Sequence, residues 1–252
     1  MPKGFEKVVA GPVKRRLVMR VGGLEKNGKT HFALTAPGPI GIINNDRGLE
    51  GVVEKFVDGT LATKDISVKD YRKLPASTQE EHEQKWDSFE KDHRILLADP
   101  NIRTIIWDTD TEAWEMARMA HFGKLTQIKP HHYAEVNSVF RKLIDEAFDN
   151  DKNLILIARY KRQYVKKNAN SDDSVWNGKY DAAGFSELPS IVQVNLRARL
   201  VTEDDGSQTP TITVINCRQN MSENGLVYRG DEACFPQIAA YIIDGTSPEE
   251  WK

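Results

Sequence analysis

The sequence predicts an α/β fold with a mostly parallel central sheet, helices on its faces and an antiparallel hairpin at one edge. Three observations predict it. Short apolar runs alternate with longer amphipathic stretches, the pattern of parallel strands joined by crossover helices. A glycine-bearing turn over 23–30 stands between the first apolar run and a helical one. Two late strand-like runs are separated only by turn residues.

In chain order, 16–21 reads as the first strand and 22–28 as a turn. A helix opens at 29–35, and Pro37 and Pro39 end it quickly. The second strand, 40–44, is nearly all apolar, as a strand buried on both faces should be. Residues 48–74, with Gly48, Gly51 and Gly59 among short apolar pieces, read as irregular. Ser77 and Thr78 each precede a glutamate by three residues, Glu80 and Glu81, so a capped helix is expected to run toward Leu97. Trp86, Phe89 and Leu96 form its buried stripe, and the acidic run 80–83 is its solvated face. A third strand over 103–107 leads to a helix over 112–122. A second helix, 133–148, places Val136, Val139, Phe140, Leu143, Ile144 and Ala147 on one face. The fourth strand is 154–158, followed by a polar segment, 161–184. The runs 192–201 and 211–217 form the edge hairpin, and a short helix over 235–243 closes the chain. The expectation is one domain over 1–252, with a helical insertion around 48–100.

The charge balance excludes some classes. With 35 Lys+Arg against 37 Asp+Glu in 252 residues, nucleic acid cannot be held by bulk charge, only by a local patch. No run approaches the roughly 18–20 apolar residues of a membrane span, and 1–10 lacks the hydrophobic region of an export signal. The expected setting is the cytoplasm of a bacterium or phage-infected cell, with no membrane partner. Cys217 and Cys234 have no metal-ligand spacing, and His131–His132 lacks a third ligand. No Gly-x-Ser-x-Gly elbow is present.

The strongest motif is Gly23-Leu24-Glu25-Lys26-Asn27-Gly28-Lys29-Thr30, which matches G-x-x-x-x-G-K-[ST] between a strand and a helix. Such a loop turns backbone N–H groups toward phosphate oxygens beside a helix N-terminus. Lys29 then reaches the β- and γ-phosphates, the Thr30 hydroxyl coordinates Mg²⁺, and His31 completes the nucleotide-binding run, with ATP and Mg²⁺ the implied ligands. A second carboxylate at a strand end is required. Asp108, which ends the apolar run 104–107, supplies it, or else caps the following helix; Asp110 is the alternative carrier. Hydrolysis also needs a group to orient water. Asp46 and Glu50 follow the second strand, and Asp46 is the better placed unless it serves only the turn before Gly48.

Taken together, these residues resemble the phage-type RecA-like P-loop ATPases, an AAA-family group of phage nucleotide-binding proteins that includes single-strand annealing recombinase cores. The likeness rests on the loop at 23–30, Asn44-Asn45-Asp46-Arg47-Gly48, the Asp108 strand and the helix opening Tyr133-Ala134-Glu135-Val136-Asn137, and runs over about 14–220. It implies a RecA-like core assembling side by side. It puts a water-activating acid, usually Glu, at Asp46. It also puts a γ-phosphate sensor, usually Gln or His, at Arg159, and a cation reaching a neighbour's nucleotide at Arg218. The shorter Asp46 and the cation at Arg159 are departures.

The resemblance places a DNA-binding loop after the sensor strand. There, 159–167 carries Arg159, Lys161, Arg162, Lys166 and Lys167 with Tyr160 and Tyr164 and no acid. Cations neutralise phosphates and aromatic faces stack on unpaired bases, so Lys161, Arg162, Tyr164, Lys166 and Lys167 are expected to bind single-stranded DNA. The polar stretch 168–179, with Trp176 and with Tyr180 just beyond it, continues the segment and is expected to order on binding. A solvated basic hairpin would have the same composition. The expected function is a Mg²⁺-dependent ATPase acting on single-stranded DNA in phage or bacterial recombination or replication, as a homo-oligomer with replication or recombination partner proteins. Two rivals stand beside it. One is a P-loop kinase of a small molecule or nucleotide, with a lid in the 48–100 insertion; the other is a nucleotide-switched binding module with little turnover.

Overall fold

The computed structural model describes residues 11, 14–61, 63–124, 129–167 and 173–252. Its elements are β1 (Val18–Gly23), α1 (Lys29–Leu34), β2 (Ile40–Asn44), α2 (Glu54–Val57), β3 (Ile66–Asp70) and α3 (Gln79–Ala98). Then come β4 (Thr104–Asp108), α4 (Asp110–Phe122), α5 (Tyr133–Phe148), β5 (Asn153–Lys166), β6 (Ser174–Ala182) and α6 (Leu188–Ile191). The last are β7 (Val194–Thr202), β8 (Gln208–Cys217), β9 (Val227–Arg229) and α7 (Phe235–Ile242). The strands form one sheet in the order β3-β2-β4-β5-β1-β7-β8-β9, with β6 paired to β5. Strands β3 to β7 along this order run parallel. The antiparallel hairpin β7–β8 lies at one edge, as expected, and the short β9, which was not expected, adds antiparallel to β8 beyond it. This is an α/β P-loop NTPase fold.

Strand alternation sorts the apolar residues onto two faces. Met19, Val21, Ile40, Ile42, Ile155 and Ile157 pack beneath α1 and α7. Val18, Ile43, Leu154 and Leu156 pack beneath α3, α4 and α5. Helix α3 starts on the expected capping box: Thr78 Oγ1 accepts from Glu81 N at 3.2 Å and Glu81 Oε2 accepts from Thr78 N at 3.2 Å. Its buried stripe is Trp86, Phe89, His93 and Leu97, with Leu96 only half-buried. His93 is there because both ring nitrogens are used: Trp107 Nε1 donates to Nδ1 at 3.3 Å, and Nε2 lies 2.9 Å from Leu143 O. Val139, expected on the buried face of α5, is exposed.

Two polar stretches are ordered strands. The irregular reading of 48–74 missed β3, which adds parallel to β2 at the sheet edge. An edge strand is wetted along most of its length, so Ser67, Lys69 and Asp70 interrupt the apolar signal. The fourth strand does not stop at Ala158. β5 is buried over its first six residues, then leaves the core and continues to Lys166, pairing with β6 as an exposed two-stranded ribbon. The stretch expected to order only on binding is therefore strand from Ser174 on; 168–172 lies outside the described residues. Among the described residues no helix is long and apolar enough to cross a membrane.

Candidate functional site

The parallel register assembles the site. Because β5 lies between β1 and β4, Gly23 at the end of β1 pairs with Arg159, and Asn44 at the end of β2 pairs with Asp108. Ligands in open α/β sheets sit at these carboxyl ends of the strands. Gly28 takes φ 80°, a left-handed conformation that costs glycine little, and becomes the N-cap of α1. Lys29 Nζ donates to Leu24 O at 2.7 Å, folding the ammonium back across the loop. Burial pulls Lys29 below the usual lysine range, while Asp108 and Asp46 oppose that shift.

The Thr30 hydroxyl donates to Asp108 Oδ2 at 3.0 Å, joining the loop to the strand-end carboxylate. Asp108 is 1% exposed, and burial pushes its pKa up to about 6; the Thr30 hydrogen bond pulls the other way. Its role as the cap of α4 is filled by Thr109, whose Oγ1 accepts from Glu112 N at 3.2 Å. Asp110, the other metal candidate, is occupied by a buried ion pair: Arg20 Nε donates to its Oδ2 at 2.7 Å. The Thr30–Asp108 oxygens suit Mg²⁺, which keeps several waters and takes few protein ligands. Among the described residues no three His, Cys, Asp or Glu side chains converge as an all-protein metal cage. Gly48 keeps the neighbouring space clear, since a Cβ there would stand 3.1 Å from Thr30 Oγ1 and 3.3 Å from Asp108 Oδ2.

Asp46 and Arg159 meet. Arg159 Nη2 lies 2.8 Å from Asp46 Oδ1, and Arg159 Nη1 lies 2.5 Å from Glu112 Oε1. Glu50 is exposed. Arg218 does not join this cluster. β8 runs antiparallel, so its end lies beside the start of β7 and β1, where Arg218 Nη2 donates to Ser190 O at 2.7 Å. Leu24, Glu25 and Lys26 form the exposed rim of the loop, with Asn27 half-buried beside them. Gly48 and Asn45, which the sequence reading quoted without giving them a role, and Glu112, which it passed over, are neighbours of the site. Asn45 Oδ1 is buried without a hydrogen-bond partner. Their places beside Asp46 are the sequence signal for Asn45 and Gly48; nothing in the local sequence flags Glu112.

Beside α1 lies a cavity of about 840 Å³, lined by His31, Phe56, Leu61, Lys64 and Cys234 among others. Burial, with Lys55 nearby, holds His31 below its ordinary pKa, so the ring is neutral at pH 7; it meets Phe56 edge-on at 5.2 Å. Burial also lowers Lys64 to about 8. This mostly apolar space begins one residue after Thr30.

On the ribbon, Lys161, Arg162, Tyr164, Lys166 and Lys167 are all exposed. The Arg162 guanidinium lies over the Trp176 ring, 5.1 Å from its centroid, and Trp176 meets Tyr180 at 5.7 Å. Tyr164 pairs with Trp176 across the two strands.

Residues 15–224 match the AAA domain family. No curated protein matches the chain.

Proposed function

The chain belongs to the AAA domain family, and on that premise we propose that it is a Mg²⁺-dependent ATPase whose turnover is coupled to single-stranded DNA held on the β5–β6 ribbon. The observation that carries this is the Thr30–Asp108 hydrogen bond at 3.0 Å, which brings loop and strand-end carboxylate to one point beside Lys29. Lys29 leaves Leu24 O to hold the β- and γ-phosphates. Thr30 and Asp108 hold Mg²⁺, which when bound neutralises charge developing on the phosphate oxygens.

Asp46 orients the attacking water. In the structure it is held by Arg159, so the γ-phosphate competes with Asp46 for that guanidinium and releases the carboxylate. Arg159 also belongs to the strand that becomes the ribbon, which gives nucleotide state a covalent path to the DNA-binding side chains. Recombination or replication, with copies side by side, is the setting that fits this pair of ligands. The same Asp46–Arg159 clamp favours a second reading, a nucleotide-switched binding module with little turnover.

Turnover of ATP with and without single-stranded DNA, for wild type and Lys29→Ala, separates these. DNA-stimulated turnover that is lost in the variant supports the ATPase. ATP binding without turnover under either condition supports the switch. Phosphate passed to a small acceptor in the absence of DNA overturns both.

A further inference from the structure

A second cavity, of about 870 Å³, lies between the ribbon and β7. Gly23, Leu24 and Asn27 of the phosphate loop form its floor; Tyr160 and Tyr180 line the ribbon side, and Arg197 and Arg199 the β7 side. Leu196 and Ala198 point into the core beneath α1, so strand alternation turns Arg197 and Arg199 to the opposite face. The site is built rather than incidental. A Cβ at Gly22 would come 2.3 Å from Tyr160 Cε1, so glycine is what lets that ring lie against the loop strand.

The charge in this cavity is uncommitted. Arg197 Nε is buried without a hydrogen-bond partner, and among the described residues neither the Arg197 nor the Arg199 guanidinium is ion-paired. Unsatisfied buried donors are rare because they are costly, and the side chain that carries this one lines the cavity. Lys179 adds a third cation, and Asp181 is the one carboxylate on the wall. Residues i and i+2 of a strand stand about 6.6 Å apart, a separation that neighbouring phosphates of an extended strand also span. Tyrosine faces beside such cations are what unpaired bases stack on.

We propose that this cavity is a phosphodiester site: Arg197 and Arg199 take two successive phosphates of a single strand, and Tyr160 and Tyr180 take its bases. The proposal rests on the reading of the ribbon as a single-strand binder and deepens it, since it draws the strand inward to the phosphate loop. Tyr160, seated on Gly22 and following Arg159, then makes strand occupancy felt at the nucleotide site.

The test is fluorescence anisotropy of labelled oligothymidylate with the full chain over a salt series, with a fluorescent ATP analogue titrated in parallel. Arg197→Gln with Arg199→Gln is expected to weaken oligothymidylate binding about tenfold or more. It should also flatten the slope of log K against log salt by about 1.4, two phosphates at about 0.7 each, with ATP-analogue affinity unchanged. Arg199→Gln alone alters only an exposed side chain, so it keeps the test valid if the double variant fails by circular dichroism; it should flatten the slope by about 0.7. Unchanged binding in these variants, with loss in a Lys161→Ala, Lys166→Ala, Lys167→Ala variant, overturns the cavity and leaves the ribbon standing. Loss of ATP-analogue affinity alone reassigns the cavity to free nucleotide and overturns it too. No binding by wild type overturns both.

Discussion

Replacing Asp108 with Asn separates what the site costs the fold from what it does for the ligand. Burial lifts the Asp108 pKa from 3.8 to about 6, with Asp46 adding to the rise and Thr30, Lys29 and Arg159 opposing it. Its folded pKa lies above its unfolded value, so the native state binds the extra proton. The chain therefore suffers no penalty below about pH 4, loses stability as pH rises toward 6, and carries the full penalty above that. The rise from 3.8 to about 6, at 1.36 kcal/mol per pH unit, sets a ceiling of about 3 kcal/mol. Asn keeps an oxygen to accept the Thr30 hydroxyl and carries no charge. Asp108→Asn should thus stabilise the ligand-free chain by about 1–3 kcal/mol at pH 8, raising Tm by about 2–10 °C. The gain should shrink to about half at pH 5. Thermal and urea unfolding across pH 5–8 read this directly, and calorimetry should show Mg²⁺-dependent ATP binding weakened in the same variant. A variant no more stable at pH 8, or one stabilised equally at every pH, would refute the claim that a desolvated carboxylate is held ready for a cation.

Other substitutions probe the neighbouring contacts. Arg159→Ala frees Asp46 but removes the guanidinium proposed to meet the γ-phosphate; ATP affinity should fall and DNA-stimulated turnover should drop about tenfold or more, measured by phosphate release. Asp110→Ala leaves the Arg20 guanidinium, 3% exposed, without its counter-ion, and should cost about 3–5 kcal/mol by chemical denaturation. Gly22→Ala drives a methyl into Tyr160 and should cost about 1–3 kcal/mol, with Tyr160→Ala in the same chain restoring most of it; a double variant no better than Gly22→Ala alone would argue against that packing.

Much of this molecule is legible in its sequence. Buried parallel strands are apolar on both faces, so β1, β2, β4 and the inner half of β5 stood out. The capping box of α3 is written in four consecutive residues, and the loop at 23–30 is a local motif whose lysine and threonine have fixed jobs. Polarity hid what lies outside the core: β3 at the edge, the outer half of β5, and β6.

The sequence by itself determined the parallel α/β sheet, the phosphate loop and the presence of a strand-end Asp108, because each is a short-range pattern of burial or backbone geometry. The partners were decided only by tertiary structure. Asp108 and Asp110 are two residues apart and chemically alike. One faces Thr30 and the other is neutralised by Arg20, because the chain turns from β4 into α4 between them. Arg159 and Asp46 are far apart in the chain and become an ion pair through strand order alone. Arg197 looked like one more residue of a hairpin until β7 came to lie beside β1 and set it opposite Gly22. Registers between distant strands depend on the whole sheet, and no local run of residues encodes them.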